Sequence, residues 1–281
     1  MRILIAAITT LLFTVSLQAQ LGDILRRVDP NKIRKGAKVV RDVSREFSDE
    51  EEKDIGRVVA ARILATYPLS KKEKLQQYVT LVGSTVAAYS TRPTLGWHFA
   101  VLDTPVVNAF SCPGGFIFIT TGALEQIGSE AELAAVLGHE VGHATLKHIL
   151  KEIRRNSVFM SSVDLAGEAS FGDSLTDAVG EKLGSIAYEK LFTSGLSRRD
   201  ENEADKVGVE LAASAGYRGS EFLRFLEGLK ELEGSSQMKV LVATHPKAAD
   251  RIAVVKPLVA KAEAGAVLAD RWKSWTQLSS R

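Results

Sequence analysis

A mainly helical α+β domain with a small antiparallel β-sheet is what this chain predicts, on three observations. Two segments, 48–67 and 129–153, open on a serine with a glutamate three residues later and then repeat apolar residues at helical spacing. Between them, WHFAVLD (97–103) and FIFIT (116–120) are short β-branched and aromatic runs bounded by proline and glycine. From residue 197 onward the pattern is again that of amphipathic helices. With 281 residues, 45% of them hydrophobic, the chain can bury a full core.

The N-terminus differs from the rest. Arg2 precedes an uncharged run from Ile3 to Leu17 and a small residue, Ala19, which together describe a secretory signal peptide over residues 1–19. The run is short for a membrane span. The expected location is therefore a periplasm, with no integral span in the mature chain. Residues 20–47 are charged and broken by Pro30 and Gly36, and they read as an N-terminal arm.

A domain is expected over 48–260 and a C-terminal tail over 261–281. Within it, 71–88 predicts a second helix with Leu75, Tyr78, Val79, Leu81, Val82 and Val86 on one side. The stretch TPVVNAFSCPGG (104–115) suggests an edge strand feeding a hairpin through Pro113-Gly114-Gly115. Residues 129–153 read as one long helix, 156–196 as a flap or a pair of loose helices, and 197–215 as a helix ending at Gly216.

Charge and cysteine content exclude some functions. A net charge of +2, without basic residues interleaved with aromatics, argues against a nucleic-acid partner. Cys112 is the only cysteine, so no intrachain disulfide can form. Beside a metal site it is a possible ligand, but a small buried hydrophobe is the preferred reading.

The chemistry concentrates in LGHEVGHATLKH (137–148). Residues four apart on a helix differ by about 40° in direction, so His139 and His143 can share one tetrahedral zinc ion. Glu140 lies about 100° around from His139, where a carboxylate can take a proton from bound water without itself binding the metal. On a regular helix His148 faces nearly the opposite side and reads as a structural histidine bonded to a nearby carboxylate or carbonyl. A third histidine in the metzincin register is ruled out, because position 149 is Ile149.

A third ligand should come from a separate helix, and SRRDENEAD (197–205) offers candidates. Glu201 and Asp205 share a helix face. They permit a division in which Glu201 binds zinc and Asp205 accepts the free N–H of a ligand histidine. Glu203 should face solvent.

The ordered set NAF-x-x-PGG-x-IFIT-x-G (108–122), EAELAAVLGHEVGH, SRRDENEAD and THPKAADRI (244–252) resembles the M48 family of zinc metallopeptidases. These are gluzincins that include the CAAX prenyl proteases and the HtpX-type proteases, and the likeness is greatest to soluble, periplasmic members. The resemblance implies a zincin-like metallopeptidase domain holding one zinc ion, with Glu140 catalytic, Glu201 the third ligand and Asp205 its supporting carboxylate. It also implies that Val107, Asn108, Ala109 and Phe110 bind an extended substrate, where the spacing alone leaves an ordinary core hairpin equally open. In periplasmic relatives the histidine of THPKAAD, here His245, can approach the metal as a conditional fourth ligand. The implied activity is endopeptidase cleavage of misfolded or misassembled envelope proteins. One alternative is a periplasmic chaperone or assembly factor with a latent or structural zinc. A zinc amidase acting on peptidoglycan has only the export signal to support it.

Overall fold

The computed structural model describes residues 46–155 and 177–278. The expected signal peptide, the arm up to residue 45 and the stretch 156–176 lie outside the described residues.

Helix α1 (Asp49–Thr66) starts as its sequence dictates. The Ser48 hydroxyl accepts from the Glu51 amide at 3.2 Å, and the Glu51 carboxylate accepts from the Ser48 amide at 2.9 Å. Helix α2 (Glu73–Ala87) buries Leu75, Tyr78, Val79, Val82 and Val86, but Leu81, expected on that face, is 66% exposed. It lies between the buried pairs, at the margin of the apolar stripe.

Three strands follow, β1 (His98–Leu102), β2 (Ala109–Cys112) and β3 (Phe116–Thr120), in the spatial order β1-β3-β2. The hairpin between β2 and β3 is antiparallel, as expected, with Phe110 opposite Phe118. Strand β1 departs from an all-antiparallel sheet, because it pairs with β3 in parallel, Phe99 opposite Ile117. After β1 the chain steps past the end of β3 and returns as β2, so the second hairpin strand inserts between β1 and β2. The outer edge of β1 is covered by Gln76, whose amide bonds the Phe99 carbonyl at 2.7 Å and the Val101 amide at 2.8 Å. Strand β2 remains at the other edge.

Side chains alternate across this sheet and enter two cores. Phe99, Val101, Ala109, Ile117 and Ile119 join the larger core, while Leu102, Phe110, Cys112 and Phe118 join a smaller one with Ile55, Val59 and Ile63 of α1.

The remaining helices are α3 (Thr121–Leu124), α4 (Glu130–Thr145), α5 (His148–Arg155), α6 (Asp177–Glu189) and α7 (Arg198–Ser214). They are followed by α8 (Glu221–Glu231), α9 (Lys239–Thr244), α10 (Ala248–Val259) and α11 (Ala269–Leu278). Helix α4 is buried over nearly its whole length. It crosses α7 closely, because a Cβ on Gly138 would stand 2.9 Å from the Gly208 carbonyl oxygen, and one on Gly208 2.8 Å from the His139 amide nitrogen. Among the described residues no helix is long and apolar enough to cross a membrane.

The segment expected as a tail carries a docked helix. Trp272 on α11 is 3% exposed, and its indole N–H donates to the Ile127 carbonyl at 2.7 Å. Beside it Glu130 is 1% exposed and accepts from Tyr217 at 2.8 Å and from Tyr78 and Arg271. Burial pushes the Glu130 carboxyl up, but the bonds from Arg271, Tyr78 and Tyr217 outweigh it and hold the group below its ordinary 4.5. A depressed folded-state pKa gives stability that is complete above 4.5 and is lost as pH falls through the folded value. Thermal melts between pH 6 and 3 should therefore show a steeper acid loss for wild type than for Glu130→Gln; equal slopes would remove Glu130 from the account.

Candidate metal centre

Helix α4 presents His139 and His143 one turn apart, with their Nε2 atoms facing each other at 2.9 Å. Helix α7 brings Glu201 against them, Oε1 3.5 Å from His143 Nε2 and Oε2 3.8 Å from His139 Nε2. From the end of α9, His245 places Nδ1 2.8 Å from Glu201 Oε2. One ligand atom from each of these four residues falls within 4.8 Å of the others.

The outer nitrogens of the two helical histidines are already engaged. His139 Nδ1 lies 2.8 Å from Asp205 Oδ1, and His143 Nδ1 lies 2.9 Å from His148 Nδ1. Both Nε2 atoms are thereby directed inward, and Glu201 Oε1 is buried without a hydrogen-bond partner. Two inward imidazole nitrogens and an orphaned carboxylate oxygen are a donor set that fits zinc.

Burial opposes ionisation of Glu201, but His245 and His143 outweigh it and hold the carboxyl well below the usual range. Asp205 is likewise held down, as Arg251 and His139 outweigh burial. Glu140 shifts the other way. Its carboxyl is raised by burial, which the positive influence of His139 and His245 only partly offsets. The anion-stabilised groups are thus the ones placed to bind or orient, and the raised one is the one proposed to move protons.

Every expected site residue is in this neighbourhood. Ala109, Phe110 and Ser111 of β2 border the cleft that holds Glu140, His143 and Glu201. Val107, Asn108 and Ala109 border an adjoining apolar pocket with Phe222 and Phe225. The Phe110 ring itself turns into the smaller core, 4.8 Å from the Phe192 ring. The Asn108 amide is 1% exposed, and both its polar atoms lack partners. Cys112 is fully buried and its thiol is pushed up by burial, as befits a small hydrophobe.

His148 requires a correction. Residues 139–148 are not one regular helix, because α4 ends at Thr145 and Lys147 adopts a left-handed φ of 55°. The Lys147 ammonium is anchored 3.5 Å from the buried Glu52 carboxylate. This turn swings His148 back against His143, rather than behind the helix. Glu203, expected in solvent, is 37% exposed at its side chain and stands 3.5 Å from His148 Nε2.

Two contributors were not assigned a role from the sequence, although Arg251 falls within the THPKAADRI motif. Arg251 of α10 is 5% exposed and donates to Asp205 at 3.1 and 2.5 Å, fixing the carboxylate that faces His139. The Ser111 hydroxyl donates to the Glu140 carbonyl at 2.7 Å and ties β2 to α4 beside Glu140. Both pairings join elements remote in sequence, and no periodicity links them.

Comparison with known proteins agrees with this arrangement. The profile described as Peptidase family M48 matches residues 73–259. The mitochondrial metalloendopeptidase OMA1 of Arabidopsis thaliana is 34% identical over 165 residues, 59% of this chain and 32% of that protein. Metalloendopeptidase OMA1 of Homo sapiens is 31% identical over 60% of this chain and 33% of its own length. The beta-barrel assembly-enhancing protease of Escherichia coli K12 is 23% identical over 72% of this chain and 42% of its own. This chain thus spans less than half the length of the curated relatives it matches. The matched span runs from α2 to α10 and contains all four converging side chains, so the chain belongs to peptidase family M48.

Proposed function

We propose that this protein is a zinc-dependent endopeptidase of the cell envelope that cleaves misfolded or misassembled proteins. The observation that carries the reading is the convergence of His139, His143 and Glu201 beside a buried Glu140, along an edge strand. His139, His143 and Glu201 would hold the ion. When bound, zinc polarises a scissile carbonyl and lowers the pKa of water.

The protein's own groups do the rest. Glu140 takes the water proton on its carboxylate and passes it to the leaving amine. Asp205, clamped by Arg251, keeps the His139 proton on Nδ1 and so leaves Nε2 free to ligate. Strand β2 offers its outer edge to an extended peptide at Ala109 and Phe110, with Val107 and Asn108 just before it; the Val107 amide itself is bonded to the Gln237 carbonyl at 3.0 Å. The apolar pocket with Phe222 and Phe225 suits a small apolar side chain next to the cleaved bond.

The envelope location rests on the signal-like segment 1–19 and on likeness to the Escherichia coli beta-barrel assembly-enhancing protease. Cleavage of casein, abolished by a chelator and restored by zinc, tests the activity. Casein binding without cleavage at any zinc level would favour the chaperone alternative.

His245 acts as a latch. It reaches Glu201 at 2.8 Å and belongs to the four-atom cluster, so it would hold the ion together with His139, His143 and Glu201 and leave less room for water and substrate. His245→Ala should release zinc faster to a chelator and change the rate of casein cleavage. If both stayed at wild-type values, the latch would be wrong.

A further inference from the structure

The described residues hold a second convergence of ligand atoms, on the outer side of His143. His148, Asp200 and Glu203 each direct one atom to a common point, all within 4.8 Å of one another. His148 Nε2 stands 3.5 Å from Glu203 Oε2 and 3.8 Å from Asp200 Oδ1. These separations are too long for direct N–H···O hydrogen bonds. They repeat the 3.5 and 3.8 Å between Glu201 and the two helical histidines. Atoms bound to one ion at about 2.0–2.2 Å in tetrahedral geometry sit roughly 3.4 Å apart.

A separate observation points the same way. His148 Nε2 has no hydrogen-bond partner, and its side chain has no exposed surface. Satisfying such an atom normally needs a partner in the gap, because buried polar groups are seldom left unpaired. The opposite oxygens of both carboxylates are taken. Asp200 Oδ2 accepts from Ser197 at 2.7 Å and lies 3.7 Å from Arg155, while Glu203 Oε1 accepts from Arg199 at 2.9 Å. That leaves Oδ1 and Oε2 facing His148. Asp200 is buried, and the 37% exposure of the Glu203 side chain provides an entry path.

We propose that His148, Asp200 and Glu203 form a second divalent-cation site of the zinc class, weaker than the first. An imidazole with two carboxylates is a donor set for such ions. Weakness follows from the solvent-exposed rim and from Arg155 and Arg199, which partly neutralise the carboxylates.

The test is a zinc titration of the full, chelator-stripped chain, with bound metal counted after equilibrium dialysis. Wild type should bind two equivalents, the second at least tenfold more weakly. Glu203→Gln, on the exposed rim, should weaken only the second, and Asp200→Asn with Glu203→Gln should abolish it. Glu201→Ala should lose the tight equivalent and keep the Glu203-sensitive one. Saturation of wild type at one equivalent overturns the proposal, as does a second equivalent indifferent to Glu203→Gln. Loss of the weak equivalent with Glu201→Ala would place it in the first cluster and also overturn the proposal. Failure of the first centre alone reads differently, since the Glu203-sensitive equivalent would persist without a tight one.

Discussion

Glu140→Gln keeps its zinc and loses cleavage of unfolded protein by a factor on the order of 10²–10⁴, the usual contribution of a positioned general base. The substitution preserves shape, so the buried site, 4% exposed at Glu140, is not opened or crowded. It removes only the capacity to accept a proton. Burial raises the Glu140 carboxyl toward the range where a base works at neutral pH, with His139 and His245 opposing. Metal should remain because the converging ligand atoms belong to His139, His143, Glu201 and His245, and Glu140 is not among them. Loss of metal together with cleavage would make Glu140 a ligand, and undiminished cleavage would exclude it as the base.

Glu201→Ala should lose most of the zinc on dialysis and, with it, nearly all cleavage. Glu201 is the sole carboxylate of the first cluster, fully buried and 3.5 Å from His143 Nε2. Without it only the imidazoles of His139, His143 and His245 would remain to hold the dication, and they supply no formal negative charge. The substitution also strands His245, whose Nδ1 has Glu201 Oε2 as its partner at 2.8 Å. Full zinc occupancy at the tight site in this variant would remove Glu201 from the ligand set.

What the sequence made legible was local. His139 and His143 are four apart on one helix, and so are Glu201 and Asp205, so helical geometry alone pairs each set. The capped starts at Ser48, Ser129 and Ser197 are likewise written within four residues. His148 escaped because a lysine in left-handed conformation carries no propensity signal, and its anchor, Glu52, is 95 positions earlier (147 minus 52). The parallel pairing of β1 depends on which strand inserts between the other two, and alternation along a strand does not state that. Arg251 and the helix at 269–278 owe their burial to Asp205 and Glu130, partners far away in the chain.

The most direct measurement follows zinc content and casein cleavage on the same samples as zinc is returned to chelator-stripped protein, for wild type and Glu140→Gln side by side. Both proteins should regain one tightly held equivalent, with cleavage returning in wild type alone. Cleavage by the stripped protein, or equal cleavage by the two loaded proteins, would contradict that expectation.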